Sequence, residues 1–481
     1  MAKEVSPGVK ALRKVVDDVH ADARQAAKEG KLVGWSSSKF PCELAAAFDL
    51  NVMYPENQAA GIAANRDGEI MCQAAEDLGF DNDICGYARI SLAYAAGKRA
   101  SRKVDLEYVI NPNSGKPLKD ADGKVVIDPE TGKPKKDPKT MQPYTVLDDI
   151  YEIEALPETT EKEIAYKNFR REAIKPYRQM RIPQPDFVLC CNNICNCMTK
   201  WYENIARMRN IPLIMIDIPY NNTVEVHDTN VAYVRAQFDQ AIRQLEELTG
   251  KKFDEEKFNQ ACRNANRTAS AWLRVCDYLQ YKPAPYSGFD LFNHMADIVT
   301  ARAYPQAAEA FELLEKDLEQ AIKEGTTTTP FPEKYRVMFE GIPCWPKLPN
   351  LFKPLKEHGV NVTAVVYAPA FGFVYDDLDG MARAYYKAPN SVCIEQGVDW
   401  REGICRDNKV DGVLVHYNRS CKPWSGYMAE MQRRFTEDLG VPCAGFDGDQ
   451  ADPRNFNEAQ YETRVQGLVE AMEANADKKE G

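Results

Sequence analysis

The chain has 481 residues, about three times the common domain size, so two or three domains are expected. Its net charge of −11 opposes the phosphate attraction that nucleic-acid binding needs, so nucleic acid is not an expected partner. No stretch approaches the roughly 20 apolar residues that span a bilayer, and the first thirty residues lack the apolar segment of an export signal. We therefore expect a soluble, cytoplasmic protein without a membrane partner.

The fourteen cysteines are interpreted as reduced thiols. The cytosol keeps thiols reduced, so a disulfide framework is not expected. Four of the cysteines fall within the short stretch CCNNICNC, from Cys190 to Cys197. These side chains are therefore either small core residues or metal ligands.

The sequence pattern of residues 1–227 predicts a first α/β domain. Short apolar runs alternate with helical patterns: KLVGWSS precedes PCELAAAF, DFVLCCNN precedes NCMTKWYENIARMRN, and IPLIMIDIPY precedes NVAYVRAQFDQAIRQLEEL. Such alternation is typical of a parallel sheet covered by helices on both faces. Residues 110–144, rich in Gly, Pro, Asp and Lys, are predicted to form an excursion or hairpin inserted into this domain.

Residues 228–330 show helical patterns without a convincing strand, and the run TTTTPFPEK marks their end. Alternation of strands and helices returns over residues 331–481, where VNVTAVVYAPA, VDGVLVHYN and VPCAGFDGD are predicted strands. The predicted fold class is α/β, with two doubly wound parallel-sheet domains joined by a helical segment.

Three cysteines lie just after a predicted strand or at the start of a predicted helix. Cys85 opens a helix, Cys195 follows the strand DFVLCCNN, and Cys421 follows VDGVLVHYN. Ligands of open α/β sheets bind beyond the carboxyl ends of the strands. A helix N-terminus also stabilises the thiolate form that a metal ligand must have. These three cysteines are the candidate metal ligands.

The other cysteines of the short stretch are assigned differently. Cys190 and Cys191 lie inside the apolar strand and are interpreted as packing thiols. Cys197 falls in the first turn of a helix, two residues after Cys195 and therefore on a different face. We keep Cys191 and Cys197 as reserve ligands. The spacing fits neither a ferredoxin nor a zinc ribbon, so the residues alone leave open both a metal centre and none.

Two further stretches contain candidate polar groups. GWSSSKFPCELAAAF places Ser36, Ser37 and Ser38 between a strand and a helix, and YPENQAAG places Glu56 just past the next strand. The residues alone favour helix capping by the serines and a solvated carboxylate at Glu56. The sequence contains no P-loop, no dinucleotide-binding fingerprint and no G-x-S-x-G elbow, so those enzyme classes are not expected.

Six stretches in this order resemble the 2-hydroxyacyl-CoA dehydratase and benzoyl-CoA reductase family: GWSSSKFPCELAAAF, YPENQAAG, DICGYARISL, CNNICNCMTKWYENIA, GVLVHYNRSCKPWS and FDGDQADPRNFNEAQYETRVQGLVEAM. The resemblance covers nearly the whole chain. It implies that Cys85, Cys195 and Cys421 bind a 4Fe-4S cluster. It also implies that Glu56 is a catalytic base or acid, and that Ser37 or a neighbouring serine bonds the substrate.

The resemblance further implies an alpha-type subunit that pairs with a homologous beta subunit, and a separate ATP-hydrolysing iron–sulfur activator that delivers electrons. The expected substrate is an acyl-CoA, 2-hydroxyglutaryl-CoA, dehydrated to glutaconyl-CoA through ketyl radicals in anaerobic glutamate fermentation. A flavin, FMN or riboflavin, is associated with such enzymes, and no fingerprint identifies a site for it. Three alternatives stay open: a benzoyl-CoA reductase subunit, an electron-relay subunit whose partner binds the substrate, and a zinc-binding α/β protein.

Overall fold

The structure, a computed structural model, describes residues 5–102, 145–174, 182–389 and 391–480. The predicted excursion at 110–144 lies outside these residues. The elements of the described chain before residue 227 are, in order, α1 (Pro7–Lys28), β1 (Val33–Ser36), α2 (Cys42–Ala46), β2 (Asn51–Met53), α3 (Pro55–Ala64), α4 (Gly68–Asp77), α5 (Gly86–Ala95), β3 (Lys98–Arg102), β4 (Thr145–Asp149), α6 (Ile150–Glu154), α7 (Glu161–Ala173), β5 (Phe187–Cys191), α8 (Cys197–Arg209) and β6 (Leu213–Ile216).

The first sheet is parallel, with the strand order β2-β1-β5-β6. Strands β1 and β5 are buried along their whole length, as expected of parallel strands covered on both faces. They pair closely at Gly34, where a Cβ atom would lie 2.3 Å from the ring of Phe187, so only glycine fits there. Strands β3 and β4 form a separate antiparallel pair.

The helical segment consists of α9 (Asp228–Thr249), α10 (Glu255–Asp277), α11 (Gly288–Thr300) and α12 (Pro305–Glu324). Helix α12 ends at Gly325, which adopts the left-handed conformation with φ of 63°. The segment packs back onto α1, because Gly8 N donates to Asp317 Oδ2 at 2.7 Å. A side chain at Gly8 would collide with the α12 backbone at Leu314, so glycine permits the close approach of the two helices.

The elements after residue 331 are β7 (Tyr335–Glu340), α13 (Leu348–Glu357), β8 (Val360–Val365), α14 (Leu378–Tyr385), α15 (Ile394–Asp407), β9 (Gly412–Asn418), α16 (Lys422–Ser425), α17 (Met428–Leu439), β10 (Cys443–Gly448) and α18 (Glu458–Glu480). Strands β7 to β10 form a second parallel sheet with the order β10-β9-β7-β8. The predicted fold class, two parallel-sheet α/β units with a helical segment, is confirmed. The exact domain boundaries stay a prediction.

The largest hydrophobic cluster of the described residues connects the two sheets and the helical segment; Trp35, Trp272 and Val337 belong to it. A buried ion pair adds a second connection, because Arg89 of α5 bonds Asp452 after β10 at 3.0 Å. An unpaired buried guanidinium is costly, so this pair fixes α5 against the second sheet. Within the described residues, every helix is too short or too polar to cross a bilayer.

Candidate active site

Four cysteines meet at a small cavity of about 70 Å³ between the carboxyl ends of the two sheets. Cys85 directly precedes α5, Cys195 lies in the turn between β5 and α8, and Cys421 directly precedes α16 after β9. The fourth is Cys197, the first residue of α8. The structure thus brings together the three cysteines that the strand-end argument selected. They come from segments far apart in the sequence.

The position of Cys197 differs from the sequence prediction, which placed it on a different face from Cys195. Both side chains line the small cavity. The prediction was wrong because Cys195 lies before the helix, so helical spacing does not relate the two residues. Cys197 forms a side-chain hydrogen bond with Cys85, which lowers the pKa of Cys197 to about 7 and raises that of Cys85.

Cys190 and Cys191 pack as predicted. Both are fully buried, and they belong to hydrophobic clusters on opposite faces of β5. The Cys191 thiol bonds Asn193 Oδ1 at 3.3 Å. Cys191 therefore contacts core side chains, and the reserve thiol at the cavity is Cys197.

The thiols around the small cavity suit a multi-iron cluster. Within the described parts of the chain, no group of three or more His, Cys, Asp or Glu side chains lies close enough to hold one metal ion, as zinc requires. A cluster differs, because each thiolate bonds a separate iron. Burial raises the pKa of Cys421 to about 12 and that of Cys195 well above its usual range. Thiolates at these positions would need a cationic group beside them, which a bound cluster would provide.

Glu56 lies in the first turn of α3, is partly buried and lines both this small cavity and a larger neighbouring one. Its carboxylate accepts hydrogen bonds from Ser38 N at 2.7 Å and Ser38 Oγ at 2.6 Å. Burial raises the pKa of Glu56 to about 7, although Ser38 and Lys39 both lower it. A carboxyl group that titrates near neutrality is suited to proton transfer. The interpretation of Glu56 as a solvated carboxylate was wrong.

Ser38 is the serine that contacts Glu56. Ser37 is fully buried, and its Oγ accepts a hydrogen bond from Cys191 N at 2.9 Å. The Ser36 hydroxyl donates to the carbonyl of Ser37 at 3.0 Å. The sequence could not separate the three serines, because the turn of the backbone after β1 decides which hydroxyl reaches α3. A catalytic role for Ser37 stays a prediction.

A second, larger cavity of about 850 Å³ adjoins the first and is lined by residues of α1, α3, α11 and α12. Glu56, Tyr367 and Phe371 line both cavities and so mark their junction. Sequence reasoning missed several side chains of the small cavity: Lys39, Tyr87, Tyr367, Trp424 and Gln450. Four of these five lie within stretches that carry the family resemblance, which was the available signal; Tyr367 does not.

Comparison with known proteins gives the family. The family model described as 2-hydroxyglutaryl-CoA dehydratase, D-component, matches residues 156–472. The alpha subunit of (R)-2-hydroxyglutaryl-CoA dehydratase from Acidaminococcus fermentans is 73% identical over 481 residues, which cover 100% of both chains. The chain belongs to this family.

More distant relatives extend the comparison. The (R)-phenyllactyl-CoA dehydratase alpha subunit of Clostridium sporogenes is 42% identical over 466 residues, 97% of this chain and 96% of that protein. One of the benzoyl-CoA reductase subunits of Thauera aromatica is 25% identical over 308 residues, 61% of this chain and 71% of that protein. The predicted resemblance to the 2-hydroxyglutaryl-CoA dehydratase family is confirmed, and with it the predicted enzyme class, a dehydratase subunit.

Proposed function

We propose that the chain is the alpha subunit of a 2-hydroxyacyl-CoA dehydratase that converts (R)-2-hydroxyglutaryl-CoA to (E)-glutaconyl-CoA. The observation that carries this proposal is the meeting of Cys85, Cys195, Cys421 and Glu56 at one small cavity. The 73% identity to an alpha subunit with that substrate supports the acyl group and a homologous beta subunit as partner. The benzoyl-CoA reductase alternative has weaker support, at 25% identity over 61% of the chain.

In this proposal Cys85, Cys195 and Cys421 hold a 4Fe-4S cluster. Bound by these three cysteines, such a cluster would supply one-electron transfer and a Lewis acid. Cys197 lines the same cavity beside Cys85 and stays the reserve ligand. A flavin stays a prediction without an assigned site.

The reaction needs an unusual route, because the C3 proton of the substrate is only weakly acidic and hydroxide must leave from C2. One electron added to the thioester carbonyl gives a ketyl radical anion that expels the C2 hydroxyl. The resulting radical has a far more acidic C3 hydrogen, and its loss gives a second ketyl that releases the electron. The electron is returned in each cycle, so the net change is loss of one water molecule.

Residues of this chain would transfer the protons of the reaction. Glu56 stands at the junction of the two cavities and exchanges a proton with the substrate. Ser38 fixes the orientation of the Glu56 carboxylate through its two hydrogen bonds. A general base within hydrogen-bond reach of its proton, with a pKa near the working pH, meets the requirements for such a step.

The larger cavity would hold the rest of the acyl-CoA. Its volume of about 850 Å³ is within the roughly 300–1,000 Å³ of small-molecule sites. A pantetheine arm lying in this cavity would place the thioester at the junction, next to Glu56. The family resemblance implies that a separate activator protein delivers the electron with ATP hydrolysis, and the lack of a P-loop in this sequence agrees with that.

Metal analysis tests the cofactor. We expect the complex of this chain with its beta-type partner, purified without oxygen, to contain iron and acid-labile sulfide in equal amounts and little zinc. Zinc without sulfide would contradict the proposal. Turnover of 2-hydroxyglutaryl-CoA with activator, ATP and reductant tests the reaction. A complex that holds the cluster and binds no acyl-CoA would instead favour an electron-relay role for the chain.

A further inference from the structure

Lys39 is a buried cation of the small cavity to which the proposed proton steps give no role. Its side chain is 4% exposed and lines the cavity together with Glu56 and the cysteines. The ammonium nitrogen lies 4.6 Å from the ring centre of Phe371 and 4.2 Å from that of Phe373. It donates one hydrogen bond, to the carbonyl oxygen of Ala370. These contacts fix the position of the ammonium group.

None of these contacts neutralises the charge. Within the described residues no carboxylate forms a salt bridge with Lys39, since Glu43 pairs with Arg302 at 2.8 Å and Glu56 bonds Ser38. Burial lowers the pKa of Lys39 well below its usual range, and the nearby Arg302 lowers it further, whereas Cys191 and Glu56 raise it and only partly offset these effects. A carboxylate bound beside the amine would favour its charged form and would itself be paired, as buried charges normally are.

We propose that Lys39 binds the distal carboxylate of a dicarboxylic acyl group and so selects 2-hydroxyglutaryl-CoA over acyl-CoAs with uncharged chains. This inference rests on the proposed function. A carboxylate is a permanent anion, whereas the oxygen of the resting thioester is neutral. Among the described residues that line the small cavity, Lys39 has the one cationic side chain.

The relatives show why such a residue is needed. The family includes dehydratases named for a dicarboxylic acyl group, glutaryl, and for an apolar one, phenyllactyl. A charged side chain at the acyl end is one way in which a shared fold can discriminate between these two kinds of acyl group. The remaining lining of the small cavity is largely apolar, with Met198, Trp201 and Ile342 among its residues. A carboxylate would be costly there without Lys39.

Two non-reacting probes test this inference, glutaryl-CoA and pentanoyl-CoA, whose acyl chains have equal length and differ in the terminal carboxylate. Calorimetry on the cluster-containing complex should show that the wild type binds glutaryl-CoA at least tenfold more tightly. Lys39→Met should weaken glutaryl-CoA binding by roughly 30-fold or more, as for loss of one partner of a buried charge pair, and leave pentanoyl-CoA binding unchanged or tighter. Lys39→Arg, which keeps the cation, should retain part of the preference.

Lys200→Met is the matched control, because Lys200 lies exposed on α8 and pairs with Glu203 at 2.7 Å; neither probe should change its affinity. Equal binding of both probes by the wild type would overturn the inference. So would an equal loss of both probes in Lys39→Met, since Lys39 would then serve a group common to both. If Lys39→Met does not fold, Lys39→Arg is the test. A preference of Lys39→Arg for glutaryl-CoA that equals that of the wild type would overturn the inference, because the longer, planar cation cannot reproduce the position of the ammonium group. A wild type that binds neither probe contradicts the proposed function instead.

A separate observation concerns Gln450, in the stretch FDGDQADPRNF. Its Nε2 donates to the Cys85 sulfur at 3.1 Å, and its Oε1 accepts from Ser420 Oγ at 3.4 Å. Ser420 Oγ in turn accepts from the backbone N–H of Gly86 at 2.9 Å. Gln450 is fully buried, so its amide is fixed in this orientation. We infer that Gln450 raises the reduction potential of the cluster held by Cys85, which again rests on the proposed function.

The reason is electrostatic. A donor beside a sulfur ligand stabilises the reduced cluster, which has the more negative charge. In a redox titration followed by electron paramagnetic resonance, Gln450→Met should lower the midpoint potential, and Ser420→Ala should lower it less. Ile342→Val, a change at the same cavity, should leave it unchanged.

An unchanged potential in a cluster-containing Gln450→Met protein would overturn this inference. If the Gln450→Met protein lacks the cluster, Ser420→Ala is the test. An unchanged midpoint potential in the Ser420→Ala protein would also overturn the inference. A wild-type complex without iron and sulfide would contradict the proposed function itself.

Discussion

Replacement of Cys85, Cys195 or Cys421 by serine is expected to remove or convert the proposed iron–sulfur cluster and to abolish turnover. A serine hydroxyl is a harder and far less acidic ligand than a thiol, and iron–sulfur clusters are held by thiolates. All three residues line the small cavity, so in the proposed site the loss of any one would leave an iron without its protein ligand. Iron, acid-labile sulfide and visible absorbance of the anaerobically purified complex measure the effect.

Cys405→Ser is the control. Cys405 lies 2% exposed in a hydrophobic cluster with Met338, away from the small cavity, so its replacement should leave the iron content intact. The buried hydroxyl should instead lower the free energy of unfolding, by roughly 1–3 kcal/mol. Survival of a full cluster in all three cavity variants would refute the ligand assignment. Cys197 would then be the next residue to test.

The fold was predictable because the signals are local. The strand DFVLCCNN and the helix NCMTKWYENIARMRN contain their own periodicity, and the structure has β5 at Phe187–Cys191 and α8 at Cys197–Arg209. The order of strands in each sheet was not predictable in this way, because pairing such as that of β1 with β5 joins residues more than a hundred positions apart. Local periodicity therefore predicts the elements of each sheet but does not predict which strands are neighbours.

The site was predictable where it follows from strand ends, and it was missed where it depends on long-range packing. Cys195 and Cys421 follow predicted strands, and this rule alone selected them. Gln450 lies 365 residues from Cys85, and no local pattern relates an amide to a distant thiol. The charge of Lys39 was visible in the sequence, but its burial was not. Residues whose role depends on the partner across a cavity therefore need the structure.

Glu56→Gln is expected to leave the cluster in place while turnover falls by roughly 10²- to 10⁴-fold, the usual loss of a general acid or base. Glutamine keeps the size of the side chain, and its carbonyl oxygen can still accept a hydrogen bond from Ser38. The ionisable group is lost, together with one of the two acceptor oxygens that Ser38 contacts. The measurement requires activator, ATP and reductant in excess, so that electron delivery does not limit the rate and hide the proton step.

The pH profile separates proton transfer from a structural role. Because burial raises the pKa of Glu56 to about 7, its carboxylate form is populated above that pH. If Glu56 accepts the proton from the substrate, the wild-type rate should rise as the pH increases through about 7. The residual rate of Glu56→Gln should lack this rise. Loss of the cluster in Glu56→Gln would show that the residue supports the scaffold. A near-normal rate with the same pH profile would end the catalytic assignment, because a group that cannot ionise cannot exchange the proton.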